Sequence, residues 1–207
     1  MDYNRRSIRL NGFDYSNNGY YFVTVCVQNK LKIFCNLNNK RADTSVRPYI
    51  ESNQIICPYI KSEYLNNIGL MVDYWFNEIS NHFENVILDE YVIMPDHIHF
   101  ILMIKCNRQT PHKLSPNIPN VGVDRCVDPI INKKTLGNII QWFKTMTTNE
   151  YIKNVKIKNW PRFDKRLWQR DYYERIIRNE KEYLRIKEYI RSNPKMWGRD
   201  KNNIENN

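Results

Sequence analysis

Read along its 207 residues, the chain presents strand, helix, hairpin, helix, strand and helix in that order. This order predicts an α+β fold: a ferredoxin-like sandwich with a mostly antiparallel sheet, helices on one face and a further C-terminal helix. Three observations carry the expectation. Residues 20–28 (YYFVTVCVQ) are β-branched and aromatic. Two stretches, 65–83 and 135–152, repeat apolar residues at helical spacing. Residues 86–94 and 97–105 are apolar runs joined only by Pro95-Asp96, the pattern of a hairpin.

The elements follow one by one. Residues 1–19 are a polar, basic lead-in with turn signals at Asn11-Gly12 and Asn17-Asn18-Gly19. The first strand comes next, and residues 35–60 read as a loop or small hairpin. Leu65, Ile68, Val72, Trp75, Phe76 and Ile79 form the core-facing stripe of the first helix. After the hairpin, residues 106–134 carry Pro111, Pro116, Pro119 and Pro129 without periodicity and read as a long loop. Leu136, Ile139, Ile140, Phe143 and Met146 line the second helix. Residues 167–178 are strand-like. Asn179 with Glu182 three residues on resembles a capping box that starts the third helix, which Pro194 is expected to stop. Residues 1–200 are thus expected to form a single domain, with 36–60 and 106–134 as variable loops and 201–207 as a disordered tail.

Composition narrows the function classes. The chain is 42% hydrophobic, and no apolar run approaches the ~18 residues of a membrane span. Residues 1–6 lack the apolar stretch of a secretory signal, so a cytoplasmic location is expected. Five cysteines without a Cys-x-x-Cys pair read as reduced thiols. Charge is placed unevenly: residues 1–130 hold 13 basic and 13 acidic side chains, whereas residues 131–201 hold 19 basic against 8 acidic. A neutral first part joined to a basic last third points to a polyanion-binding surface.

Two of the four histidines, His97 and His99, fall on the second hairpin strand. Period two puts both imidazoles on one face, about 6.6 Å apart along the backbone. Ile98, Phe100, Leu102 and Ile104 would anchor the opposite face. Such a pair can share a cation or bond separately, and two ligands alone do not complete a site. On the third helix, Tyr183, Ile186 and Ile190 make the apolar stripe; Tyr189 borders it, with Asn193 one turn further on the same side. Pattern alone does not select Tyr189 over Tyr172, Tyr173 or Tyr183.

The segment Tyr91-Val-Ile-Met-Pro-Asp-His-Ile-His-Phe resembles the HUH motif of single-strand, one-tyrosine transposases. Further segments narrow the resemblance: Arg6-Ser-Ile-Arg-Leu, Tyr21-Phe-Val-Thr-Val-Cys, Leu136-Gly-Asn-Ile-Ile-Gln-Trp-Phe-Lys, Leu167-Trp-Gln-Arg-Asp-Tyr-Tyr-Glu-Arg and Tyr189-Ile-Arg-Ser-Asn-Pro. Together they are similar to the REP-associated tyrosine transposases over most of residues 5–199, apart from the two loops.

The resemblance implies a metal-dependent enzyme that nicks and rejoins single-stranded or hairpin DNA through a 5′-phosphotyrosine. Tyr189 would be the nucleophile, with His97, His99 and Asn193 as metal ligands. Ligand softness alone admits Zn, Mn or Ni; the resemblance implies Mg or Mn. The family's motif often carries Asn before the first histidine, where this chain has Asp96. Lys144, Lys165, Arg166, Arg170, Arg175, Arg178 and Arg185 would line the phosphate path. Trp142, Trp168, Tyr172 and Tyr173 are available for base stacking. The competing reading is a catalytically silent nucleic-acid-binding protein on the same scaffold. No membrane partner is expected, and nothing in the pattern selects a monomer over a homodimer.

Overall fold

A computed structural model describes residues 13–35, 65–105 and 135–197. The lead-in motif at Arg6, the loops 36–60 and 106–134 and the tail 201–207 lie outside the described residues. Four strands form one sheet: β1 (Gly19–Cys26), β2 (Val86–Ile93), β3 (His97–Ile104) and β4 (Tyr173–Ile177). They lie in the order β2-β3-β1-β4 and every neighbouring pair is antiparallel. With α1 (Asn67–His82) and α2 (Leu136–Lys158) as the crossovers, this is the expected ferredoxin-like layout. A third helix, α3 (Glu180–Met196), follows β4 and contains Tyr189.

Local chemistry explains where the helices begin. The Asn66 side chain accepts from the backbone N–H groups of Ile68 and Gly69 and starts α1. Thr135 and Asn138 cap each other's turn at the start of α2. Gly69 has a packing reason: a Cβ there would lie 2.4 Å from the Phe34 carbonyl oxygen. The buried stripe of α2 continues past Phe143 through Thr147, Tyr151 and Asn154. The helix therefore outruns its expected end near residue 152, closing at Asn159 in the left-handed conformation.

Two other expectations are corrected. Residues 167–178 are not one strand. Trp168 bridges Val27, and Gln169 N–H donates to the Cys26 carbonyl. The chain then leaves the sheet until Tyr173, because Lys144 Nζ draws in the carbonyls of Gln169, Arg170 and Asp171. Nor does Pro194 stop α3: the helix runs on to Met196. A proline this near the C-terminus forfeits one backbone hydrogen bond, and Trp197 just beyond is buried in the apolar cluster beneath the helix.

The sheet separates two apolar layers. Tyr21, Val23 and Val25 of β1 and Ile98, Phe100, Leu102 and Ile104 of β3 face α1 and α2 in the main core. The alternate residues Phe22, Val92 and Ile101 face α3 and meet Ile186, Ile190 and Trp197 in a smaller cluster. Ile186 and Ile190 each contribute about 1.5–3 kcal/mol through burial. Polar bonds supplement this small cluster. The β2–β3 register shifts between Leu88 and Tyr91, a bulge that leaves Asp89 and Glu90 opposite Ile101 and frees both acids to meet α3. Asp89 accepts from Tyr183 Oη and Lys187 Nζ, and Glu90 accepts from Arg191.

Candidate active site

The two histidines occupy the central strand β3, on the face toward α3. Strand pairing sets their surroundings: Cys26 stands opposite His97, and Thr24 opposite His99. Their Nε2 atoms approach to 2.9 Å. The other ring nitrogen of each is held: His97 Nδ1 bonds Asp96 Oδ1 at 2.5 Å, and His99 Nδ1 lies 2.7 Å from Thr24 Oγ1. Both histidines and Asp96 are essentially out of solvent, at 0%, 2% and 0% exposure respectively.

These contacts have a definite electrostatic consequence. With Asp96 Oδ1 accepting its Nδ1–H, His97 in its neutral tautomer keeps a lone pair on Nε2. Burial first, then the electrostatic influence of His97 and Lys30, push His99 well below the ordinary imidazole range. His99 is therefore neutral, and when Thr24 accepts its Nδ1–H, its Nε2 also carries a lone pair. In that tautomer the two Nε2 atoms, 2.9 Å apart, suit a shared cation; when Thr24 donates instead, His99 Nε2–H donates to His97 Nε2.

Helix α3 completes the arrangement from above. Tyr189 Oη lies 3.3 Å from His99 Nε2. Two turns on, the Trp197 ring lies 6.0 Å from that of His97. Asn193 stands midway between them on the same helical face. It is only 3% exposed, and its Oδ1 has no hydrogen-bond partner among the described residues. A buried amide oxygen left in that state is costly and is suited to a cation.

The donor set thus fits a divalent ion. The two Nε2 atoms, 2.9 Å apart, are close enough for one ion to be held by both. The Asp96 and Thr24 bonds to the far nitrogens are the supports such ligands use. Among the described residues no group of three His, Cys, Asp or Glu converges; within them the buried amide of Asn193 is the neighbouring oxygen donor.

Sequence reasoning did not find Thr24, Phe22 or Trp197. Phe22 stacks on His99 with ring centroids 5.5 Å apart and meets Tyr189 edge-on at 6.1 Å. Only strand register places Thr24 and Phe22 here. The spacing of Trp197 from Asn193 was the one available signal.

The expected DNA-contacting residues divide. Residues 167–169 pair beside the end of β1 that neighbours His97. Exposed Lys165, Arg166 and Arg170 therefore lie at the histidine end of the sheet. Exposed Arg178 follows β4 at the opposite end. Arg185 is exposed on α3, one turn before Tyr189, and Arg175 pairs with Glu182 at 2.6 Å. Lys144 is committed to three loop carbonyls. Trp168 is a core residue, 4% exposed, whose indole N–H donates to Thr147 Oγ1, so it has no ring face for a base. Tyr172 packs against the main core on the helical side. Trp142 stacks on His82 between α1 and α2.

No described helix is long and apolar enough to cross a membrane. No protein-family model matches the chain. An uncharacterised protein of Haemophilus influenzae is 35% identical over 205 residues, covering 96% of this chain and 92% of that protein. The chain belongs to the same family as that protein. Among solved structures, it is similar to a REP-associated tyrosine transposase bound to a REP hairpin, with a TM-score of 0.49 and 16% identity, over 93% of this chain and 74% of the other.

Proposed function

We propose that this protein nicks single-stranded or hairpin DNA and transfers the strand through a covalent 5′-phosphotyrosine on Tyr189. The observation that carries this reading is the Tyr189 hydroxyl 3.3 Å from His99 Nε2, itself 2.9 Å from His97 Nε2. His97, His99 and Asn193 would hold one divalent cation, Mg or Mn, which when bound neutralises phosphate charge and stabilises the leaving oxygen.

The chain's own residues supply the rest. Asp96 and Thr24 lock the imidazoles with Nε2 forward. Tyr189, 44% exposed, is open to a strand arriving from solvent. Its oxygen attacks phosphorus, forming the Tyr–O–P bond while the P–O3′ bond breaks; the phenolic proton passes to water and the departing oxygen takes one up as a free 3′-OH. The phosphodiester bond energy is conserved in the adduct, so the 3′-OH of another strand can attack it, rejoin DNA and release Tyr189 without ATP. Exposed Lys165, Arg166 and Arg170 at this end offer charge to the incoming backbone.

The test is a denaturing gel with a labelled library of single-stranded hairpins, run with Mn or Mg and again with EDTA. A metal-dependent band shifted by covalent attachment is expected, and Tyr189→Phe abolishes it while binding persists. Cut fragments with no shifted band would indicate a nuclease using water. Binding with neither product would indicate a silent nucleic-acid-binding protein.

A further inference from the structure

The half of the sheet beside the candidate site carries an aromatic side chain that folding does not account for. Helix α3 lies chiefly over β2 and β3, whereas β4 forms the far edge of the sheet. On that edge strand Tyr173 is 47% exposed, although a large exposed ring on a sheet edge adds little to stability and invites association.

Its placement is specific. Strand pairing sets His99, Thr24 and Tyr173 in one row across β3, β1 and β4. At about 4.8 Å per strand, Tyr173 stands about 10 Å from His99 on the same sheet. Phe22 links the two, with its ring 5.5 Å from His99 and 6.3 Å from Tyr173. Phe22 also meets Tyr189 at 6.1 Å, so it stands between the exposed ring and the candidate nucleophile. The orientation of Tyr173 is set in advance. Phe22 supports it edge-on at 69°. The neighbouring Tyr172 packs against the main core instead.

We infer that Tyr173 is a stacking platform for an unpaired nucleobase close to the phosphate that Tyr189 attacks. The inference takes its ligand class from the function proposed above. A rigid, half-exposed aromatic ring beside a phosphate-handling site offers a π-face that any base can use, and such stacking is tolerant of sequence. Tyr173 is a positioning residue: it holds the strand and takes no part in bond making.

The experiment uses the full chain and a twelve-residue oligodeoxythymidylate carrying a single 5-iodouracil, at low salt, with binding read by fluorescence anisotropy and contact by photo-cross-linking. Tyr173→Ala is expected to weaken binding by about 5- to 150-fold, the usual value of one stacked base, and to remove a cross-link that maps to Tyr173. Tyr173→Phe retains the ring and is expected to bind within twofold of wild type. Because Tyr173 is half-exposed, both variants should keep the wild-type circular dichroism spectrum. Unchanged affinity in Tyr173→Ala, a cross-link that maps to Tyr172 instead, or no binding by the wild type would overturn the inference. Covalent capture by the wild type separates the two ideas: its failure removes the nicking reaction and leaves the stacking result standing, and Tyr173→Ala in a Tyr189→Phe background reads the stacking alone.

Discussion

Asp96 offers the sharpest test of the histidine pair. Its carboxylate is wholly buried, with Oδ1 on His97 Nδ1 and Oδ2 without a partner among the described residues. It therefore does two things: it fixes the His97 tautomer and it makes Nε2 more basic. Asp96→Asn keeps an acceptor for Nδ1–H but removes the charge, whereas Asp96→Ala removes both. Loss of such a support weakens metal binding by about 10- to 100-fold. The Asn variant should fall near the lower end, about 1.4 kcal/mol, and the Ala variant near the upper, about 2.7 kcal/mol. In EDTA the Ala variant also leaves a buried Nδ1–H unpaired and should lose about 1–3 kcal/mol of stability. The assay is Mn titration of the full chain by electron paramagnetic resonance, with urea unfolding as the check on folding. An Asp96→Ala protein that binds Mn within twofold of wild type would refute the reasoning, whatever its activity.

Two further outcomes are expected. Asp89→Ala removes the acceptor shared by Tyr183 and Lys187. Urea unfolding should show a loss of about 1.5–3 kcal/mol, toward the lower end because Lys187 still has Glu90 at 3.8 Å. Covalent capture should fall with it, and a variant as stable as wild type would remove Asp89 from the docking of α3. His99, held well below its ordinary value by burial and then by His97 and Lys30, stays neutral in the fold while the unfolded chain protonates near about 6.5. Its contribution is present above that pH and is lost as pH falls toward the folded value, by up to about 1.4 kcal/mol per unit. Urea midpoints in EDTA between pH 7.5 and 5 should fall more steeply for wild type than for His99→Gln; parallel curves would contradict this.

Local pattern carried much of the fold. The alternation of Ile98, Phe100, Leu102 and Ile104 with His97 and His99 is a property of any strand, so the shared facing of the imidazoles was legible in the sequence. The stripe of α1 and the cap at Asn179 were legible for the same reason. Where the reading failed, a distant partner intervened. Lys144, about 25 residues upstream, breaks the strand expected at 167–178 by binding its carbonyls. Trp197 keeps α3 going beyond Pro194 by burying itself under the helix. Trp168 and Tyr172 looked open to DNA because composition does not say which side of a sheet an aromatic ring will take.

The sequence by itself determined the elements, their order, the shared face of His97 and His99, and the one-turn spacing of Tyr189 and Asn193, because periodicity acts over a few residues. Only the tertiary structure decided which residues meet. The β1–β3 register supplied Thr24 to His99, and the β1–β4 register brought Tyr173 into the same row. The bulge at Asp89 and Glu90 gave α3 its polar anchor and set Tyr189 above the pair. These contacts join groups as many as 101 residues apart, and their energy depends on packing that no short stretch of chain encodes.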